Sequence, residues 1–174
     1  MKNLLQSLLL FFLFISFTAS SSIDENEKFL SFLEQEWQWE LAQNPVYATK
    51  MGVQGFETQW RDDSLKGIEL REAHIQDSFA ELKKFDPNSL NKSNQLNLRL
   101  YTQLTQTALN ISKYNRYLFP FNHRGGVQLA HEAVESLPLN TAEDYRFWIE
   151  RLKNLDKRIE QTISIARLGL ENNY

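Results

Sequence analysis

Three histidines are all the imidazole this 174-residue chain has, and two of them, His123 and His131, flank a pair of glycines. His131-Glu132-Ala133-Val134-Glu135 begins as the zinc motif H-E-x-x-H begins, but its fifth residue is glutamate. The second imidazole at i+4 is therefore missing. A histidine and a glutamate at that spacing share a helix face, yet a catalytic zinc needs three protein ligands. His123 is the sole further candidate nearby, so the segment reads as a short exposed helix with an ordinary polar contact. No catalytic or metal-ligating residue is assigned in this chain.

The stronger candidate is the stretch that interrupts the helical patterns, Phe121-Asn122-His123-Arg124-Gly125-Gly126. A guanidinium beside backbone N–H groups freed by glycine can hold an anion or a carboxylate. Loops carried on a rigid frame are also where binding residues collect. These six residues are taken as a candidate substrate-cleft loop; the plainer alternative is a helix-to-helix connection whose paired glycines adopt positive φ. A third group, Glu34, Glu36 and Glu40 beside Trp37 and Trp39, has the composition of a sugar site. Glu36 and Glu40 are adjacent on one helix face, where such pairs are ordinarily solvated. His74 is expected at the edge of an apolar stripe.

Helices must position these groups. Phe29, Leu30, Phe32, Leu33, Trp37 and Leu41 recur at helical spacing after a Ser22…Glu25 capping pattern. Asn44-Pro45 should end that helix and start a short second one with Tyr47, Ala48 and Met51 buried, closed by Gly52. A loop with Phe56 and Trp60 as anchors leads to Ser64, which caps a third helix with its stripe at Leu65, Ile68, Ile75, Phe79, Leu82 and Phe85. Asp86-Pro87-Asn88 breaks it. Asn91 caps a fourth helix with Leu96, Leu100, Tyr101, Leu104, Ala108 and Ile111 as its buried stripe. Val127 to Leu137 reads as a short helix. Thr141 with Asp144 opens a long last one, spanning Tyr145, Trp148, Leu152, Leu155, Ile159, Ile163 and Leu170. The fold class is all-α: long antiparallel helices with short connecting loops, forming one helical domain or the N-terminal part of a larger one.

Composition narrows the function classes. Hydrophobic residues are 42 % and charged residues 24 %, as in ordinary globular chains. The absence of cysteine excludes disulfides, thiolate nucleophiles and thiolate metal sites. Met1 to Ser21 has the basic start, apolar core and small-residue end of a secretory signal peptide, and its core is too short for a membrane span. Cleavage near Ser21 leaves residues 22–174 as the helical domain, with no stable membrane insertion and a periplasmic or secreted location. A mildly acidic chain, of net charge −3 before cleavage, has no electrostatic reason to bind nucleic acid.

An ordered set of motifs runs along the chain: W-Q-W-E-L-A-Q-N-P-V-Y-A-T-K-M-G at Trp37 to Gly52, F-D-P-N-S-L-N at Phe85 to Asn91, N-L-R-L-Y-T-Q-L, Y-L-F-P-F-N-H-R-G-G at Tyr117 to Gly126, and L-N-T-A-E-D-Y at Leu139 to Tyr145. This order resembles the bacterial family called domain of unknown function 885. The resemblance implies a long, mostly helical, exported protein related to zinc metallopeptidases of the H-E-x-x-H type. Its histidine-bearing motif, Glu-Ala…Pro-Gly-His-His, would lie well downstream of Tyr174. The expectation is thus an N-terminal helical region of an exported zinc-metallopeptidase-like hydrolase. On that expectation the catalytic motif, the zinc and the peptide substrate belong to the full-length protein, with no cofactor in this chain. The competing expectation is a non-catalytic exported helical module that binds a peptide or protein partner. If the chain is a fragment, the last helix should lack part of its cover and fray beyond about Ile163.

Overall fold

Helices account for the regular structure of the computed structural model, which describes residues 24–123 and 125–174. The expected signal sequence at residues 1–21, Ser22 and Arg124 lie outside the described residues. The α-helices are α1 (Glu25–Gln43), α2 (Pro45–Lys50), α3 (Leu65–Leu82), α4 (Lys92–Ser112), α5 (Ala142–Lys153) and α6 (Leu155–Glu171). Short 3-10 segments occupy Pro87–Ser89, Arg116–Leu118 and Val127–Ser136. The fold is all-α, and a lone bridge between Asn122 and Gly125 is the β pairing among the described residues.

Local chemistry sets most helix starts. Ser64 Oγ accepts from Gly67 N at 3.1 Å and Asn91 Oδ1 from Asn94 N at 2.9 Å, each satisfying an orphan donor of the first turn. Thr141 and Asp144 form a reciprocal capping box at the start of α5. Asn44 does not cap α2 with its side chain, because its amide donates to Glu40 Oε1 at 2.7 Å; Pro45, with φ preset for a helix, begins that element.

The core joins α1, α3 and α4. Phe29, Phe32, Leu82, Leu90 and Leu98 are buried together, with Phe85 and Tyr101 against them. Fully burying each such side chain stabilises by about 1.5–3 kcal/mol. The contacts fix directions: Phe85, just beyond the end of α3, lies edge-on to Phe29 near the start of α1, at 5.2 Å between centroids. At the same end, Asn26 Oδ1 accepts from Asn94 Nδ2 at 3.0 Å. So α1 and α4 run together and α3 runs against both.

Several expectations about helix faces and bounds need correction. On α4 the buried line is Asn94, Leu98 and Thr105, whereas Leu96, Leu100, Leu104 and Ile111 are exposed, Leu104 by 65 %. The helix is rotated from the expected stripe, and the polar members of the buried line are satisfied, Asn94 by another helix and Thr105 by its own. Asn94 bonds Asn26, and Thr105 Oγ1 donates to the Tyr101 carbonyl at 2.7 Å. Tyr47 and Met51 on and after α2 are likewise exposed, and Pro45, Ala48 and Thr49 are its buried residues.

The expected long last helix is two helices broken at Asn154. In a continuous helix the Arg151 carbonyl would serve the Leu155 N–H. Here it accepts Trp60 Nε1 at 2.6 Å and Asn154 N at 3.1 Å, and Asn154 Nδ2 donates to the Thr58 carbonyl at 3.2 Å. The loop before α3 therefore captures the hydrogen bonds that would have carried the helix through. On α6 the buried residues are Thr162, Ile165 and Gly169, and the expected face, Ile159, Ile163 and Leu170, is exposed. Its far end is tied down, since Tyr174 Oη donates to the Tyr114 carbonyl at 3.3 Å.

Candidate functional site

The candidate loop is held by its own sequence. Asn115, at φ 45, turns the chain left-handed after α4 and leads into the Arg116–Leu118 segment. Gly169 on α6 is buried against that segment: a Cβ there would collide with the Leu118 carbonyl oxygen, so only glycine lets α6 approach so closely. Asn122 and Gly125 then exchange backbone hydrogen bonds at 3.1 and 3.4 Å, closing a tight turn around His123. The Gln128 amide donates to both the Asn122 and Gly125 carbonyls, at 2.9 and 3.1 Å, and pins the turn to the following 3-10 helix. Gly126 has φ 132, and a side chain there would strike Gln128 and the Pro120 carbonyl. Of the two adjacent glycines only Gly126 takes positive φ.

This turn borders a cleft of about 980 Å³ between α3, α6 and the segment after α4. Asn122, His123, Gly125 and Gly126 line it; Phe121 is exposed beside it. The charged lining is four guanidinium groups, Arg61, Arg71, Arg116 and Arg158, against two carboxylates, Asp63 and Glu72. Asp63 Oδ1 accepts from Arg61 Nε at 2.6 Å, and Asp63 Oδ2 from Arg158 Nε at 2.8 Å. Burial raises the Asp63 carboxyl pKa, but Arg61 and Arg158 outweigh it and hold the group below its ordinary value. Arg158 also lies over the Trp60 ring, 5.2 Å from its centroid. Arg71 gives Nη1 to the Asp62 carbonyl at 2.8 Å. Arg116 is exposed at the edge and pairs with no carboxylate among the described residues. The cleft thus presents an excess of positive charge next to a rigid glycine turn, which suits a carboxylate or another anion.

The second candidate is not assembled as a metal centre. His131 is exposed with Nδ1 3.2 Å from the Gln128 carbonyl, and Glu132 faces a neighbouring cavity of about 490 Å³ shared with Gly125 and Gly126. Among the described residues no three histidine, aspartate or glutamate side chains gather in a way that could hold a metal.

Two arrangements were missed by sequence reasoning. Glu36, His74, Ser78 and Tyr101 converge from three helices, with Trp39 stacked on His74 at 3.7 Å. The available signal was the i, i+4 spacing of His74 and Ser78, which sets both on the face that meets α1. The other is Arg151, wholly buried, whose Nη2 donates to Thr49 Oγ1 and the Phe56 carbonyl, both at 2.6 Å. Its Nε and Nη1 have no hydrogen-bond partner among the described residues. Burial pushes its pKa down to about 10, with Glu57 acting in the opposite direction. An arginine three residues after Trp148, on an apolar face, was the sequence signal for it.

The sequence pattern of one family, described as a bacterial protein of unknown function (DUF885), matches residues 45–174. That span takes in the loop, the cleft and every lining residue named above. No curated protein matches the chain.

Proposed function

The chain belongs to that DUF885 family, and from this premise we propose that it forms the N-terminal helical wall of a substrate cleft in an exported, zinc-metallopeptidase-like hydrolase. In this reading residues 1–21 direct export to the periplasm or beyond. The zinc and its histidines belong to another part of the full-length protein, and this region holds the substrate rather than performing the chemistry. Arg61, Arg71, Arg116 and Arg158 would draw in a peptide by a carboxylate, and the Asn122–Gly126 turn would set the edge of the cleft.

The observation that carries this reading is the cleft of about 980 Å³ with four arginines against two carboxylates, bordered by a glycine turn that two Gln128 hydrogen bonds fix. The exposed faces of α4 and α6 support it. Leu96, Leu100 and Leu104 lie on the side of α4 away from its buried line, an apolar strip that a partner surface could cover. Among the described residues no helix is long and apolar enough to cross a membrane.

The test is peptide hydrolysis, followed by mass spectrometry over a mixed peptide library, with and without zinc. The protein is expressed with any coding sequence that follows residue 174. Zinc-dependent cleavage that weakens through KM in Arg71→Ala and Arg116→Ala is expected. Saturable peptide binding without cleavage would instead favour a non-catalytic binding module.

A further inference from the structure

Sharing Arg71 with the arginine cleft, a smaller cavity of about 270 Å³ opens between α1, α3 and α4. At its base one oxygen of Glu36 is saturated. Oε2 accepts from Tyr101 Oη at 2.6 Å and Ser78 Oγ at 2.9 Å, and His74 Nε2 lies 3.1 Å from it. The glutamate side chain is only 12 % exposed, and the stack of Trp39 on His74, 6° from parallel, fixes the imidazole plane. Oε1, by contrast, has no hydrogen-bond partner among the described residues and is not closed off from solvent. A carboxylate whose one oxygen is held by three groups from two helices offers the other in a fixed direction. Ile75, Leu104 and Ala108 supply apolar walls, and Glu40 adds a second acceptor at the rim.

We propose that this cavity binds a primary alkylammonium group, with Glu36 Oε1 as its acceptor and the Ile75, Leu104 and Ala108 walls around its carbon chain. A carboxylate gains most from a charge-assisted donor, and a cation can also use the Trp39 face. A divalent metal is a poorer fit: three walls are apolar, no three histidine, aspartate or glutamate side chains among the described residues gather to hold one, and the Arg71 guanidinium lines the same cavity. The carboxylates of Asp63 and Asp62 offset part of the Arg71 charge, and its Nη1 donates to the Asp62 carbonyl. The ligand is then a lysine side chain or the free α-amine of a peptide. This inference stands without the hydrolase reading.

The experiment titrates the protein with three probes and follows the Trp39 indole and His74 ring signals by NMR. Leucinamide carries an α-ammonium, Nα-acetyl-lysine methylamide a side-chain ammonium, and Nα,Nε-diacetyl-lysine methylamide neither. One or both ammonium probes should saturate, and which one does identifies the source, while the neutral probe should not. Glu36→Gln should weaken binding at least about tenfold, the loss of one charge-assisted hydrogen bond, and Glu34→Gln on the exposed side should leave it unchanged. If Glu36→Gln loses its helical circular dichroism, Leu104→Arg decides. Leu104 is 65 % exposed, so the added guanidinium leaves the fold intact and competes for Oε1. Equal binding of the neutral probe, no saturable shift with any probe, or full affinity in the folded variants would overturn the proposal.

Discussion

Replacing Arg151 by alanine and by methionine separates what its charge contributes from what its bulk contributes. The side chain is wholly buried, with Nη2 donating to Thr49 Oγ1 and the Phe56 carbonyl and two other nitrogens unpartnered. Hydrogen bonds from a charged donor contribute about 1.5–3 kcal/mol each, and each unsatisfied buried donor costs about 1–3 kcal/mol. The two sums are of similar size, so the charge itself adds little net stability. Its guanidinium carbon lies over the Trp60 ring, 5.9 Å from the centroid. Truncating a buried side chain of this size to alanine costs about 2–5 kcal/mol through the cavity it leaves. Arg151→Ala should therefore destabilise by about 3–5 kcal/mol. Arg151→Met keeps the stem and removes the charge, and should stay within about 1.5 kcal/mol of wild type. Urea unfolding monitored by tryptophan fluorescence gives both values, since Trp60 and Trp148 sit in this contact, 6.2 Å apart. A methionine variant as damaged as the alanine variant would refute the reasoning and make the guanidinium a true structural tie.

Three further outcomes follow from the same packing. Asp63 has a folded-state pKa below its unfolded value, so its contribution is present above the unfolded pKa and is lost as pH falls through the folded one. Asp63→Asn should flatten the acid limb of the stability profile, read as melting temperature between about pH 5 and pH 2. Gly169→Ala drives a methyl group into the Leu118 carbonyl and should cost about 1–3 kcal/mol by urea unfolding. On α4, Leu98→Ala should cost about 2–5 kcal/mol, while Leu104→Ala, on the exposed face, should change stability by less than about 0.5 kcal/mol. The reverse order would restore the stripe expected from sequence.

The helices were legible where local chemistry decides them. Ser64, Asn91 and the Thr141–Asp144 box act within three residues of themselves, so their sequence pattern is their structure. The loop anchor Trp60 was legible for a similar reason, as an isolated aromatic amid polar residues. Faces were not, because α4 carries apolar residues on two sides. Which side is buried depends on whether Asn94 finds its partner Asn26 on another helix, a tertiary fact, whereas Thr105 satisfies itself on its own helix. The break at Asn154 was hidden because it depends on Trp60 and Thr58, some ninety residues away in sequence. The Asn122–Gly126 turn was found from its glycines, but its arginine neighbours come from elements on both sides of it and only the fold brings them together.

The most direct test of the central claim is where a peptide touches this region. Titrating the ¹⁵N-labelled chain with short peptides carrying a free C-terminal carboxylate should shift the backbone signals of Asn122, His123, Gly125 and Gly126 and the side-chain signals of Arg71 and Arg158. The same peptides with amidated C-termini should produce much smaller shifts. Shifts that ignore the carboxylate, or that fall on the exposed faces of α4 and α6 and leave the turn untouched, would contradict the assignment of this cleft to substrate.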